Sequence, residues 1–270
     1  MQLSGVGPAE HLRVVGIDPV LDSPQVGRNL TDHPATFMNW ELAPGLTGLA
    51  DAQHPKWLLQ WLMLHRGKLA SNFMEAVAHI KSEPDLTDPD FQLILGPAYI
   101  WDYGRSSHPR PAMAILQSHW TPLSRGTVLV RDADPRRPPA IQTNALTEPE
   151  DVAAFVKAVR RTREIAATAP LSSALRDEIH PGPPIYSDAS LEEWIRQTCG
   201  TTGHPACTAA MGADDDSVLD ERLRVRGVRG LRVADASALP APPHANTNAP
   251  SILIGERCAD FIIDDRMPAS

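Results

Sequence analysis

Residues 203–212 read GHPACTAAMG, and residues 244–250 read HANTNAP. Neither stretch shows the 3.6-residue spacing of an amphipathic helix or the alternation of a half-buried strand. In the first, His204 stands alone among glycine, proline and small residues. An imidazole, with an ordinary pKa near ~6.5, exchanges a proton close to neutral pH and suits general-base work. Taken alone, the first stretch is a Pro/Gly-rich loop with a packed histidine, and the second is an Asn-rich helix cap. Their surroundings decide between those readings and a chemical one.

Working outward, residues 250–264, PSILIGERCADFIID, predict a helix with Pro250 in its first turn. Upstream, LRVADAS (231–237) predicts a short apolar strand running into small residues. Residues 188–198 predict a helix capped by Asp188 or Ser190. The clearest helix is 148–169. Val152, Phe155, Val156, Val159 and Ile165 share one face there, and Glu148 and Glu150 favour its positive N-terminus. Shorter helices are expected over 8–16 and 55–66. Residues 91–100, 112–122 and 126–135 carry strand composition, the last turning at Asp134-Pro135. Most of the 26 prolines fall between periodic segments, as fixed turns, and no internal repeat is present.

Composition narrows the class. With 42% hydrophobic and 21% charged residues over 270 positions, the chain is globular and large enough for a sizeable core. A net charge of −8 with only isolated Arg pairs argues against a nucleic-acid partner. Three cysteines without a CxxC point to a reducing compartment. The start lacks a signal-peptide pattern, and the longest apolar run, WLLQWLML at 57–64, is too short to span a bilayer. A cytoplasmic protein is the expectation. The ten histidines have no metal-ligand spacing, so no metal site is predicted. GVGPAE at 5–10 lacks the third glycine and the preceding strand of a phosphate cradle and reads as a turn.

Six blocks then carry a resemblance: LSGVGPAEHLRVVGI (3–17), VGRNLTDHP (26–34), the segment 124–152 from SRGTVLV to EPEDV, HPACTAAMG (204–212), LRVRGVRGLRVADASALP (223–240) and NTNAPSILIGERCADFI (246–262). In this order they resemble the C-terminal half of the glucose–methanol–choline family of FAD-dependent alcohol oxidoreductases, and the NTNAP ending is closer to its choline-dehydrogenase-like members. The family's glycine-rich FAD fingerprint precedes the first block. The resemblance therefore implies a truncated or split member that holds the flavin-facing half and lacks the nucleotide-anchoring half.

The fold it implies is α+β: a remnant of an FAD-binding α/β domain, plus a substrate domain with a mostly antiparallel sheet flanked by helices. Residues 1–35 would form the FAD-domain remnant and flavin entrance, 36–198 the substrate-binding domain, and 199–270 the C-terminal part of the FAD domain. His204 matches the family's catalytic base. Asn246 matches its second active-site residue, whose amide can steady a developing alkoxide. Asp235 and Ala236 match positions that approach the cofactor. Asn248, Ala249 and Pro250 begin a helix whose positive end would face the flavin's pyrimidine side. Two departures accompany His204: Cys207 stands where the family has glycine, and Ala209 where it has cysteine. The implied cofactor is FAD, and the implied partners are a small alcohol and, for a split member, a separate N-terminal FAD-binding chain. The rival readings are an inactive fragment and a flavin-containing hydroxynitrile lyase.

Overall fold

A computed structural model describes residues 1–266 of the chain. These form two compact units. One comprises Pro34–His119 and Pro149–Gly200; the other comprises Met1–His33, Trp120–Glu148 and the chain from Thr201 onward. The segment 120–148 thus belongs with the terminal segments, where the sequence had placed it inside the 36–198 domain. The reason lies in main-chain pairing. Leu30 and Gly126 exchange backbone hydrogen bonds, and Val128 N–H donates to Gly27 O at 2.7 Å. Gln2 adds a clamp, donating to Val128 O at 2.8 Å and accepting from Val130 N–H at 3.0 Å. Gly27 lies at φ 79°, and a Cβ there would sit 2.2 Å from Val128 O, so only glycine allows the approach.

The first unit is built on an antiparallel sheet. Strand β1 (Pro34–Leu42), β2 (Ala76–Ile80), β3 (Phe91–Gly96), β4 (Ala112–His119) and β5 (Leu175–His180) supply it. β1 pairs with β4, β4 with β3 and β3 with β2, while β5 takes the other edge of β1. β1 and β4 are buried along nearly their whole length, which explains why their sequences are apolar without clean alternation. Helix α1 (Pro55–Leu64) buries none of its residues, leaving Leu58, Leu59, Leu62 and Met63 exposed. α1 ends at Leu64, with His65 in the left-handed conformation, two residues short of the expected 55–66. Helices α2 (Pro149–Ala166) and α3 (Asp188–Thr198) complete the unit.

α2 turns Val152, Phe155, Val156 and Val159 inward as its spacing predicts, while Ile165 is only half-buried. Phe155 is fully buried and meets Phe91 of β3 edge to face, with centroids 5.0 Å apart. Buried polar groups are matched across elements. Thr36 donates to Gln117 Oε1, and Gln117 Nε2 donates to Thr162 Oγ1 of α2 at 2.8 Å. α3 is capped by Ser187, whose Oγ accepts from Ser190 N–H at 3.2 Å, not by Asp188 or Ser190 as expected. A serine one residue earlier offers the same acceptor in the extended backbone a cap requires.

The second unit has little regular sheet. A two-residue parallel pair (Val6–Gly7 with Leu21–Asp22) and a short hairpin (Thr127–Leu129 with Ala140–Gln142) are its ladders. Its core gathers Val26, Val218, Leu219, Leu223, Val225 and Ala238 around Ile254 and Cys258 of the last helix, α4 (Asn248–Arg266). The expected strand LRVADAS does not form. Arg232 makes one isolated bridge, to Arg224, and residues 236–238 are a 3-10 turn. A strand needs a neighbour for its ladder, and among the described residues none runs beside 233–237 as a strand.

Candidate active site

A single antiparallel bridge, Thr31 with Ala206, brings TDHP (31–34) beside TTGHP (201–205). The two main chains exchange hydrogen bonds of 3.1 and 2.8 Å there. Asp32 then ties the loops together. Its Oδ1 accepts from the N–H of His33 at 2.7 Å and of His204 at 2.9 Å, and its Oδ2 accepts from the Thr201 hydroxyl. Gly203, at φ 78°, makes the turn into His204, and its N–H donates to Thr201 Oγ1. The backbone on both sides of His204 is thereby fixed.

The imidazole is held as well. His204 Nδ1 lies 3.0 Å from His33 Nδ1 and 3.0 Å from Thr202 Oγ1, and the two rings meet edge to face at 5.1 Å. His33 is fully buried and His204 half-buried. Burial lowers the pKa of His204 from its usual value, and the nearby Asp32 carboxylate offsets part of that shift. Burial thus favours the neutral imidazole, the form a general base requires.

Next along the chain, Cys207 has φ 74°, the left-handed region that glycine populates without penalty, and it is almost fully buried. The residue type expected here was glycine, and the backbone retains a glycine conformation under a cysteine. Ala209 packs into the core of the unit. From Cys207 the chain runs beside 236–238: Cys207, Ala209 and Met211 N–H groups donate to the carbonyls of Ala236, Ser237 and Ala238. Ala236 is therefore brought against the His204 loop through its backbone. Asp235 faces its own turn, accepting from Ser237 N–H at 2.8 Å and Ser237 Oγ at 2.6 Å.

Asn246 is exposed in the loop before α4, while Asn248, Ala249 and Pro250 form the helix's first turn. Among the described residues the Asn246 and Asn248 side chains make no hydrogen bond, and none joins Asn246 to His204. The structure thus assembles a histidine cluster at His204 and leaves the Asn246 amide open. Among the described residues no group of three or more His, Cys, Asp or Glu side chains could hold a metal ion, and no helix is long and apolar enough to cross a membrane.

Sequence reasoning missed His33, Asp32 and Thr202. Within the VGRNLTDHP block nothing local singles Asp32 or His33 out. The usable signal was the pairing of polar-histidine loops, TDHP and TTGHP, which only the bridge at 31 and 206 makes visible.

Residues 122–255 match the family described as GMC oxidoreductase, in its C-terminal domain. An oxygen-dependent choline dehydrogenase of Vibrio vulnificus is 36% identical over 269 residues, covering 97% of this chain and 48% of that protein. An uncharacterized GMC-type oxidoreductase of Mycobacterium bovis is 38% identical over 265 residues, covering 97% of this chain and 50% of its own length. The crystal structure of a formate oxidase superposes with a TM-score of 0.90 at 25% identity, covering 98% of this chain and 52% of the other. The chain spans about half the length of the relatives it matches. With the helices and mostly antiparallel sheet described above, it belongs to the GMC oxidoreductases and carries that family's C-terminal domain.

Proposed function

We propose that this chain supplies the substrate-facing, proton-transferring part of a flavin-dependent alcohol oxidoreductase. The observation that carries the reading is the setting of His204: half-buried, its backbone pinned by Asp32 and its ring braced through Nδ1. In this role His204 takes the hydroxyl proton of a small alcohol. The open amide of Asn246 donates to the alkoxide oxygen as charge develops there. The unit comprising the chain termini then acts as the flavin-facing part, and the sheet unit as the substrate-binding part.

The residues present fit one end of an FAD and not the other. The exposed first turn of α4, Asn248, Ala249 and Pro250, opens a 19-residue helix whose positive end favours a negatively charged ring. Asp235 and Ala236 would support that ring end. No glycine-rich turn of the G-x-G-x-x-G kind occurs in the sequence to cradle the pyrophosphate. When bound, the flavin would accept the hydride of the alcohol carbon. We expect this chain by itself not to retain FAD, which absorbance of the purified protein would show.

Each relative carries its full length in one chain, so we place the remaining half in cis rather than on a separate subunit. The test supplies that half by fusing the N-terminal portion of the Vibrio vulnificus relative and measures flavin reduction by a panel of primary and secondary alcohols. Alcohol-dependent reduction that collapses in His204→Ala supports the proposal. Cleavage of a cyanohydrin without flavin reduction would instead establish the lyase chemistry and overturn it.

A further inference from the structure

We propose that Thr202 and His33 lock His204 in its Nδ1–H tautomer, leaving the lone pair on Nε2. The proposal deepens the reading of His204 as a base by naming the atom that accepts the proton and the residues that choose it.

The protons available to these groups fix the tautomer. Thr202 has one hydroxyl hydrogen, and its Oγ1 donates to the backbone carbonyl of His33 at 3.0 Å. With that hydrogen committed, Oγ1 meets His204 Nδ1, also at 3.0 Å, only as an acceptor. Nδ1 must therefore carry a hydrogen. His33 Nδ1, 3.0 Å away on the same side, is then a second acceptor for that hydrogen, which places the His33 proton on its own Nε2. The opposite assignment has His33 Nδ1–H donating to an unprotonated His204 Nδ1. It turns the Thr202 contact into two lone pairs facing each other at 3.0 Å. Only one arrangement satisfies all three distances.

The nearby carboxylate does not alter the count. Asp32 uses Oδ1 for two backbone N–H groups and Oδ2 for the Thr201 hydroxyl. It steadies the loop rather than the ring. This differs from the carboxylate–imidazole pairing in which an acid directly holds the Nδ1 proton. Here a neutral hydroxyl and a second, fully buried imidazole take that place. His33 and Thr202 are positioning residues, acting on the chemistry through His204.

The test needs neither flavin nor alcohol. Long-range ¹H–¹⁵N spectra of the ¹⁵N-histidine-labelled 270-residue chain at pH 8 report which ring nitrogen of His204 bears hydrogen. The parent should show a pyrrole-type Nδ1 and a pyridine-type Nε2. Thr202→Val should move the tautomer ratio toward Nε2–H by about fivefold, the weight of one neutral hydrogen bond, and Thr202→Ser should restore it. His33→Phe should move it the same way; because His33 is buried and that variant can fail to fold, the Val/Ser pair at 202 carries the test. A parent His204 protonated at Nε2, or a folded Thr202→Val protein with an unchanged ratio, overturns the proposal. Failure of the fused enzyme to oxidise alcohols would overturn the functional reading and leave this tautomer assignment standing. Conversely, an Nε2–H parent would refute the assignment without touching the dependence on His204.

Discussion

The two units of the chain solve the same problem, holding a backbone in place, by different means. The sheet unit does it with ladders. β1, β3 and β4 are six to nine residues long, and α2 closes over them with Phe155 and Val159 fully buried. The unit that carries His204 does it with single bridges, glycine turns and one aspartate. Its candidate site residues lie on loops whose main chains touch at isolated points, among them Thr31 with Ala206 and Cys207 with Ala236. Such loops can be shaped by a few hydrogen bonds without disturbing a core, which is why binding and catalytic groups concentrate on them. The division predicts that substitutions of the loop side chains around His204 should read out as chemistry, and those in the core of the sheet unit as stability.

The largest effect expected is on chemistry. In the fused, flavin-loaded protein, His204→Ala should lower turnover by about 10²–10⁴-fold, the usual weight of a general base, with flavin content unchanged. Asn246→Ala should cost less, because it removes one hydrogen bond to the alkoxide and not the proton acceptor. Steady-state rates and flavin absorbance measured on the same samples check both, and a parental rate in His204→Ala would make its imidazole structural. The matching experiment in the sheet unit is Phe155→Ala. It should destabilise by about 3–5 kcal/mol in urea titrations, since it opens a cavity against Phe91 in a closed core. Hydrogen exchange should show the loss in β3 and β4. A His204→Ala protein that also loses several kcal/mol would break the proposed division of labour.

The same contrast governs how much of the fold is legible in the sequence. α2 was legible because five apolar positions at helical spacing leave one solution, and four of them are buried. The strands over 91–96 and 112–119 were legible for their apolar, strand-forming composition. LRVADAS has the same kind of composition, yet its ladder depends on a neighbour that local sequence does not contain. His204 and Asn246 were singled out as candidates by resemblance, not by pattern, since a lone histidine in a Gly/Pro loop is usually packing. His33 was invisible because its role depends on a contact 171 positions away. The glycine-like need at Cys207 was legible in the resemblance, and its backbone angle supplies the cause.

Cys207 sharpens the comparison at intermediate scale. A branched side chain at φ 74° is a genuine outlier. Cys207→Val should therefore destabilise by about 2–3 kcal/mol, combining backbone strain with crowding in a buried site. Cys207→Gly should stay within about 1 kcal/mol of the parent: relief of the left-handed strain is offset by lost thiol packing and by glycine's greater freedom when unfolded. Calorimetry of both variants decides it. Turnover of the glycine variant should equal or exceed that of the parent, because the loop following His204 keeps its backbone. A glycine variant that loses several kcal/mol would mean that the thiol's packing, not the backbone angle, dominates this site.

The smallest effect separates the units by pH. In the sheet unit, His119 is buried against Phe91, with ring centroids 4.6 Å apart, and close to Phe155. Desolvation lowers its pKa to about 4, against the partial opposition of Asp151 and Asp90. In the unfolded chain the same group titrates near ~6.5. Above that pH both states hold it neutral and nothing changes. As the pH falls below it, the unfolded state binds a proton that the folded state refuses, so stability declines until the folded pKa is reached. Over the single unit from pH 6.5 to 5.5 the loss from this group should be roughly 1 kcal/mol. His180 and His204, also lowered by burial, add to the same slope and do not reverse it. His119→Phe keeps an aromatic ring between Phe91 and Phe155 and removes the titration. Urea midpoints for that variant should fall less steeply between pH 6.5 and 5.5 than those of the parent. An unchanged slope would mean that the folded state already admits a proton at His119, through Asp151 or Asp90, and that this core is less closed than its burial implies.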